Sequence, residues 1–229
     1  MEDKNEVSFS NIDENPIKCP YNYIVIEGVI GVGKTSLCGL LADRLNGMCI
    51  LENFESNPFI RDFYRSPKTY AFKTQLFYLI SRFKQHLELP LPDLFNSPLV
   101  VDYMFQKDRI FATVNLDDDE FELYNTVWDV LEPKVNPPEL VVYLQASTER
   151  LLQRIIRRGR DYEKNISREY LEALNDTYND FFFHYSMAPV FIVNTDEIDF
   201  VESDEHLKDL IEKIVEHHSE ITFYNPRGK

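Results

Sequence analysis

Short apolar runs alternate along the chain with longer segments in which apolar residues recur at helical spacing. The runs are rich in β-branched residues and lie at residues 23–26, 48–51, 99–101, 140–144 and 190–193. A short, continuous apolar run is typical of a strand that is buried on both faces, as in a parallel sheet. The chain therefore predicts an α/β fold in which a five-stranded parallel sheet carries helices on both faces.

Helical periodicity fills the segments between these runs. A leucine-rich helix is predicted after the first strand, and further amphipathic helices are predicted at residues 70–87, 117–134, 167–185 and 205–217. Ser147 is positioned to cap another helix, which is rich in arginine. The chain shows no internal repeat. We therefore expect one domain at residues 21–218, between a mobile acidic arm at residues 1–20 and a tail at residues 219–229.

Composition narrows the range of functions. With 229 residues, 44% of them hydrophobic, the chain can build one sizeable core, and its net charge of -15 argues against a surface that binds nucleic acid duplexes. It has neither a basic leader followed by an apolar run nor a stretch approaching the ~20 apolar residues of a membrane span. Cys19, Cys38 and Cys49 are odd in number and lack metal-binding spacing. Free thiols of this kind indicate a reducing compartment, so we expect a soluble, cytoplasmic protein.

The first predicted strand runs into the phosphate-binding motif G-x4-G-K-[ST] at residues 28–35, and a predicted helix follows it. Glycines allow successive backbone N–H groups to point inward at phosphate oxygens, and the helix N-terminus reinforces their effect. In this P-loop a lysine reaches the β and γ phosphates, and a threonine hydroxyl holds Mg²⁺. The guanine-reading N-K-x-D motif and the switch motif D-x-x-G are both absent, so a GTP switch is disfavoured; the expected donor is ATP. The predicted donor-site residues are Gly28, Gly31, Gly33, Lys34, Thr35 and Ser36.

Acidic residues end the second and third predicted strands. Glu52 follows the second strand and Asp102 follows the third, at the edge of the sheet where such folds bind ligands. A carboxylate there can take the proton of an acceptor hydroxyl, so Glu52 is a candidate general base. Asp102 is a candidate ligand of Mg²⁺ through water. The alternative for each is a solvated acid at a strand end.

Two polar residues share one face of the predicted helix at residues 70–87. Gln75 and Arg82 are seven positions apart in the sequence, which is about two helical turns. A glutamine amide offers a donor and an acceptor together, and a guanidinium can fork onto a pair of acceptors. The pair is a candidate for recognition of a nucleobase, with ordinary surface polarity as the alternative.

An arginine cluster follows the fourth predicted strand in this otherwise acidic chain. Five arginines fall within eleven positions, and apolar residues between them occupy the opposite helix face. The cluster predicts a mobile lid at about residues 154–166 whose cations neutralise a transferring phosphate. A solvated helix face is the alternative. The arginines are Arg150, Arg154, Arg157, Arg158 and Arg160.

Taken in order, these pieces resemble the deoxyribonucleoside kinase family, and within it the bacterial deoxyguanosine and deoxyadenosine kinase branch. The resemblance covers about residues 21–200. Besides the P-loop, Glu52 and the lid, it rests on Asn57-Pro58-Phe59, Phe63-Tyr64, Ala71-Phe72-Lys73-Thr74-Gln75, Val101-Asp102-Tyr103 and Lys107-Asp108-Arg109-Ile110-Phe111-Ala112.

The resemblance implies a role for each matching residue. Glu52 matches the general base for the sugar 5′-hydroxyl, while Tyr64 and Glu163 match the pair that binds the 3′-hydroxyl. Gln75 matches the residue that reads the base. Arg82 and Asp108 match the charged residues that assist it. The lid residues that bind ATP phosphates are matched by Arg154, Arg158 and Arg160. A homodimer and a small-molecule deoxynucleoside as acceptor are implied as well.

The chain departs from the family at the end of the third strand. Many members carry an acid-Arg-Ser triplet there, whereas this chain has Asp102-Tyr103-Met104. Tyr103 supplies no cation, so either the lid arginines cover the missing charge or activity is reduced. The Asp-Tyr pair resembles the deoxyguanosine kinase branch, which favours a purine acceptor.

The main prediction is ATP-dependent phosphorylation of the 5′-hydroxyl of a deoxyribonucleoside in nucleotide salvage, with deoxyguanosine first and deoxyadenosine second. One alternative is a nucleoside monophosphate kinase of the thymidylate kinase type. Its phosphorylated acceptor would need cations beside the second strand, where Glu52-Asn53-Phe54-Glu55 is acidic. The other alternative is a catalytically weak regulatory protein that binds nucleotides, which the tyrosine at position 103 would favour.

Overall fold

The computed structural model describes residues 17–90 and 97–226. Most of the predicted acidic arm and the last three residues of the predicted tail lie outside the described residues.

Six parallel strands form one sheet, in the order β2-β3-β1-β4-β5-β6. They span Tyr23–Gly28 (β1), Met48–Ile50 (β2), Leu99–Val101 (β3), Leu140–Gln145 (β4), Val190–Asn194 (β5) and Ile221–Tyr224 (β6). The predicted α/β architecture is confirmed, but the strand count was one short. β6 lies at the sheet edge, where Ile221 and Phe223 are 42% and 66% exposed, so it lacks the apolar run of a buried strand.

Helices cover both faces of the sheet. They span Lys34–Leu45 (α1), Ile60–Arg65 (α2), Pro67–Leu87 (α3), Lys107–Asn115 (α4), Asp118–Leu131 (α5), Thr148–Arg158 (α6), Arg168–His184 (α7) and Asp204–Val215 (α8). The predicted cap of the arginine-rich helix is confirmed, because Ser147 Oγ accepts from the N–H of Arg150. Within the described residues, none of these helices combines the length and apolarity needed to cross a bilayer.

Helix α4 was not predicted, and its burial pattern gives the reason. Its inward face carries Lys107 and Asp108 together with Ile110 and Ala112. Charged residues on the inward face remove the apolar stripe that identifies an amphipathic helix in a sequence.

A small second core fixes α3 against α4 and α5. Leu79, Phe105, Ala112, Tyr124 and Trp128 form this cluster apart from the main core around the sheet. The rings of Phe105 and Trp128 stack with their centroids 4.6 Å apart. Full burial of one such side chain contributes roughly 1.5–3 kcal/mol. The cluster thereby fixes the polar faces of α3 and α4 relative to each other.

Candidate active site

The turn between β1 and α1 requires glycine at three positions. Gly28, Gly31 and Gly33 have φ of 148°, 87° and 111°, values that side chains rarely allow. A Cβ on Gly28 would lie 2.4 Å from the carbonyl oxygen of Leu144, and one on Gly31 would lie 2.8 Å from Ile155 Cγ1. Gly33 gives α1 no side-chain cap, so the first N–H groups of this helix are available to an anion. The loop has the form of a phosphate cradle.

Lys34 and Thr35 begin α1 beside this cradle. Lys34 Nζ donates to the carbonyl oxygens of Gly28 at 2.7 Å and Val29 at 3.2 Å. Desolvation, and after it the charge of Lys107, lower the pKa of Lys34 to about 8, so the lysine is still largely a cation at neutral pH. The Thr35 hydroxyl donates to Asp102 Oδ2 at 2.7 Å, which joins the P-loop to the end of β3. Ser36, the next residue of α1, is exposed.

One cavity brings most of the predicted residues together. Its walls come from the P-loop, the end of β2, α2, α3, α4 and the segment after α6. The predicted residues that line it are Gly31, Lys34, Thr35, Glu52, Tyr64, Gln75, Arg82, Asp102, Arg158, Arg160 and Glu163. Asp108 lies behind Arg82, and Arg154 lies elsewhere.

Glu52 is held inside the cavity by two cations. Its side chain is 10% exposed; Oε1 accepts from Arg82 Nε at 2.8 Å and Oε2 from Lys107 Nζ at 2.5 Å. Its backbone N–H donates to Asp102 Oδ1 at 2.6 Å. Burial alone would raise the pKa of Glu52, but Arg82 and Lys107 outweigh burial and hold this pKa well below its usual range. Glu52 is therefore a carboxylate in a fixed position at neutral pH, and the reading of a solvated strand-end acid is wrong.

Behind Glu52, Arg82 joins two buried carboxylates. It bonds to Asp108 Oδ1 as well as to Glu52, and its guanidinium lies 4.9 Å from the ring centroid of Tyr78. Asp108 is completely buried, and its Oδ2 has no partner among the described residues. Burial raises the pKa of Asp108 to about 6, with Arg82 opposing the shift. Arg82 is therefore committed to carboxylates through one N–H on each of its three nitrogens.

Gln75 lies two turns before Arg82 on α3 and is 2% exposed. Within the described part of the chain, its Oε1 is a buried acceptor without a hydrogen-bond donor. Such an atom costs about 1–3 kcal/mol unless a ligand or water satisfies it. Because Gln75 also lines the cavity, its amide is suited to a ligand that brings its own N–H donor.

Tyr64 and Glu163 both line the cavity. The rings of Tyr64 and Tyr162 lie 5.7 Å apart between centroids, and Glu163 is 4% exposed. Glu163 Oε2 accepts from Arg158 Nη2 at 2.5 Å, and its Oε1 accepts from Arg160 Nη1 at 3.4 Å. One carboxylate therefore holds both lid arginines at the cavity.

The arginine cluster divides into two groups. The side chains of Arg158 and Arg160 are 34% and 29% exposed and line the cavity, whereas that of Arg157 is 73% exposed and pairs with Glu202. Arg154 donates to Val32 O at 3.0 Å and to Thr195 O at 2.8 Å. Arg154 thus connects the P-loop to the residue that follows β5, outside the cavity. The alternative of a solvated helix face is therefore correct for only part of the cluster, which includes Arg157.

Sequence reasoning missed two charged residues. Lys107 lines the cavity and binds Glu52. Its sequence signal was its place at the start of the family-like segment Lys107-Asp108-Arg109, in which the resemblance gave a role to Asp108 and none to the lysine. Tyr103 itself is 2% exposed in the main core, and the two cations beside Glu52 come from α3 and α4. The second residue, Glu27, is buried in β1 and accepts from Gly28 N and Met104 N, both at 3.0 Å, and from the Tyr178 hydroxyl. An acid within an apolar strand was its signal.

A P-loop that shares a cavity with a buried carboxylate and lid arginines defines a P-loop kinase. Comparison with known proteins narrows this class. The profile of the family described as deoxynucleoside kinase matches residues 24–219. The deoxyguanosine kinase of Bacillus subtilis is 37% identical over 159 residues, which cover 68% of this chain and 76% of that protein. The deoxyguanosine kinase of Lactobacillus johnsonii is 32% identical over 207 residues, covering 84% of this chain and 90% of that protein.

Solved structures agree with these sequence matches. A structure of deoxyadenosine kinase from M. mycoides with bound dCTP has a TM-score of 0.70 and 29% identity, and the match covers 83% of this chain and 97% of that one. The chain belongs to the deoxynucleoside kinase family. The resemblance to the bacterial deoxyguanosine and deoxyadenosine kinase branch is confirmed.

Proposed function

We propose that this protein transfers the γ-phosphate of ATP to the 5′-hydroxyl of a deoxyribonucleoside, with deoxyguanosine preferred and deoxyadenosine second. One observation carries the proposal: a single cavity joins the P-loop Lys34 and Thr35 to the buried carboxylate of Glu52 and to the amide of Gln75. A donor phosphate, an acceptor hydroxyl and a nucleobase each have a matching group there.

ATP is the proposed donor, with its phosphates in the P-loop and under Arg158 and Arg160. Thr35 and Asp102 would hold Mg²⁺, Thr35 through its hydroxyl and Asp102 through water; the ion would neutralise charge on the phosphates. The oxygen atoms of these two residues fit this hard cation, which usually takes one or two protein ligands and leaves the rest to phosphates and water. Within the described residues no cluster of three or more His, Cys, Asp or Glu forms a separate metal site.

Glu52 would accept a hydrogen bond from the 5′-hydroxyl and take its proton as the phosphoryl group moves. A carboxylate with a lowered pKa is a weak base, but phosphoryl transfer has a loose transition state in which positioning contributes more than base strength. Arg82 and Lys107 fix that position. Lys107 also lines the cavity with Lys34, so it stands where charge on the transferring group can be neutralised.

The acceptor base would lie against Gln75. The unpaired Oε1 of this residue accepts from an N–H donor, which adenine offers at N6 and guanine offers at N1 and N2. The N–H groups that Arg82 does not give to carboxylates can meet the acceptors O6 and N7 of guanine. Thymine also has an N–H donor, at N3, but it places a methyl group beside its O4 carbonyl, and a charged guanidinium is a poor partner for that methyl.

We also propose a cytoplasmic homodimer that acts in nucleotide salvage as one kinase domain, and that does not bind nucleic acid. The predicted domain end at residue 218 was too early, because β6 at Ile221–Tyr224 pairs with β5 in the same sheet. Three cysteines without disulfide bonds support a location in the cytoplasm. Exposed apolar residues support the dimer. On each of two helices a pair of them is spaced by two helical turns, so that both lie on one face that a second subunit can cover: Ile80 and Leu87 on α3, and Leu123 and Val130 on α5. Light scattering during size-exclusion chromatography tests this part.

A radiolabelled-ATP assay tests the reaction. The purified protein is offered the four deoxynucleosides and, separately, their 5′-monophosphates, with Lys34→Ala as the control that removes the P-loop cation. We expect labelled deoxyguanosine and deoxyadenosine monophosphates from the wild type only. Label that appears only on the monophosphate acceptors, or equally with Lys34→Ala, would refute the proposal. A thymidine preference would refute only the proposed reading of the base site.

A further inference from the structure

Two cysteines face each other across the junction of α1 and β2. Cys38 on α1 and Cys49 on β2 have their Sγ atoms 3.1 Å apart. Cys38 is buried, and its Sγ lies 3.3 Å from the carbonyl oxygen of Val100, whereas Cys49 is exposed. The third cysteine, Cys19, is partly buried against the main core.

The geometry is that of a thiol pair close to bond formation. A disulfide has an S–S distance of about 2.05 Å, so the two sulfurs need to approach by only about 1 Å. The two sulfurs also differ in exposure and in the direction of their pKa shifts. Either thiol can donate in the hydrogen bond between the two sulfurs. This bond lowers the pKa of Cys49, while the same bond and burial raise the pKa of Cys38. The exposed sulfur is thus the one suited to react first with a solute, and the buried sulfur is placed to attack it second.

We propose that Cys38 and Cys49 form a redox pair that hydrogen peroxide converts into an intramolecular disulfide. The Cys49 thiolate attacks the peroxide; the O–O bond breaks, an S–O bond forms and hydroxide leaves, so that Cys49 becomes a sulfenic acid. Cys38 then attacks the Cys49 sulfur, an S–S bond forms, the S–O bond breaks and water leaves with the proton of the Cys38 thiol. The net reaction consumes two thiols and one peroxide and yields one disulfide and two waters. A dithiol reductant reverses it.

The bridge would join two elements that lead into the active-site cavity. Cys38 lies three residues after Thr35, and Cys49 lies three residues before Glu52. Asp102 links the same two elements, since it accepts from the Thr35 hydroxyl and from the backbone N–H of Glu52. Oxidation would therefore add a covalent link beside an existing hydrogen-bonded one. This inference rests on the cysteine geometry and is independent of the proposed substrate.

Peroxide titration of the full-length protein tests the pair. The reduced protein is treated with a small excess of hydrogen peroxide, the remaining thiols are alkylated, and peptides are mapped by mass spectrometry without reduction. We expect two of the three thiols to be lost and a peptide that joins Cys38 to Cys49 and lacks two hydrogen atoms. The bridge closes a short loop and should raise Tm by roughly 5–10 °C. Dithiothreitol should restore the original thiol count and the original Tm.

Single variants separate this result from general oxidation. Cys49→Ser changes an exposed residue and so leaves the fold intact, and it should abolish both the linked peptide and the Tm rise. Cys19→Ser is the matched control and should retain both. The proposal is overturned if Cys19 is consumed while Cys38 and Cys49 remain alkylatable. A sulfinic acid on Cys49 without a bridge, or a peroxide-induced dimer linked through Cys49, would overturn it equally.

Discussion

The two ends of the cavity hold their charges in different ways. At the acceptor end, the side chains of Glu52, Arg82, Lys107 and Asp108 are at most 10% exposed and are paired with one another. At the lid end, Arg158 and Arg160 are 34% and 29% exposed and share the single carboxylate of Glu163.

The difference indicates that the acceptor end positions the acceptor and its base, whereas the lid end captures the phosphates of the donor. Removing one partner of a buried ion pair costs about 3–5 kcal/mol, so the acceptor-end network resists rearrangement and keeps Glu52 in place. Partly exposed pairs contribute about 0–1 kcal/mol each, so the lid arginines can exchange Glu163 for a phosphate at low cost. Substitutions at the acceptor end should therefore affect turnover and stability together, while those at the lid should affect turnover alone.

The largest effect is expected for Glu52→Gln. Glutamine keeps the shape of the side chain but takes no proton at neutral pH, and it leaves Arg82 and Lys107 beside a neutral group. We expect kcat to fall by about 10²-fold or more, with a lower Tm and little change in acceptor binding. Steady-state kinetics measure kcat and the KM of the acceptor, and thermal denaturation measures Tm. Glu55→Gln changes an exposed acid three residues away and is the control; unchanged kcat in Glu52→Gln would remove this residue from the mechanism.

Lys107→Met should have the next largest effect. It removes the cation that binds Glu52 Oε2 and stands near the transferring group, so we expect kcat to fall by about 10- to 100-fold. Lys107→Arg restores a cation and should recover most of the loss, which a purely structural role would not require. If methionine and arginine variants behave alike, the charge of Lys107 is unimportant.

A smaller effect is expected at the lid. Arg158→Ala and Arg160→Ala should each lower kcat by about tenfold, with Tm changed by no more than about 2 °C because their ion pairs are partly exposed. Arg157→Ala is the matched control, since its side chain is 73% exposed and bonds to Glu202 instead of lining the cavity. Silent substitutions at both positions would show that another cation covers the phosphate.

The smallest effect is a shift in pH dependence. The pKa of Lys34 is lowered to about 8, so the charged form that binds phosphate exists below this pH and is lost above it. We expect kcat/KM for ATP to fall above about pH 8. Because desolvation is the first cause of the shift and Lys107 the second, Lys107→Met should move the decline upward by less than one pH unit. A downward movement would contradict the assigned coupling between the two lysines.

The sequence was sufficient wherever function depends on neighbouring positions. The P-loop, its strand and its helix form one local unit, so the glycine spacing located the phosphate cradle and Lys34. The positions of Glu52 and Asp102 followed from the rule that parallel strands end at one edge of a sheet. The edge strand β6 was missed because its exposed residues lack a buried-strand pattern.

The pairing of Arg82 with Asp108 was predicted and is present in the structure, but the pairings of Glu52 with distant elements could not be predicted. Arg82 and Lys107 meet Glu52 only because the Phe105 and Trp128 cluster fixes the rotation of α3 against α4. Likewise, the arginines of α6 looked alike in the sequence, but the turn at Gly159, with φ of 72°, brings Arg160 to the cavity while Arg157 remains in solvent. Burial of a charge depends on such tertiary contacts, which no local pattern records.

The cations of this cavity sit in a chain whose net charge is -15, and this affects how the two proposed substrates arrive. Outside the cavity, an approaching molecule meets the summed charge of the protein rather than the local arginines, over a range set by the Debye length of ~10 Å at 0.1 M salt. A nucleotide with negative net charge is therefore repelled until it reaches the mouth of the cavity, whereas an uncharged nucleoside diffuses in without this barrier. Added salt should speed the encounter with the nucleotide and leave that with the nucleoside unchanged, so ionic strength sets which of the two collisions is the slower one.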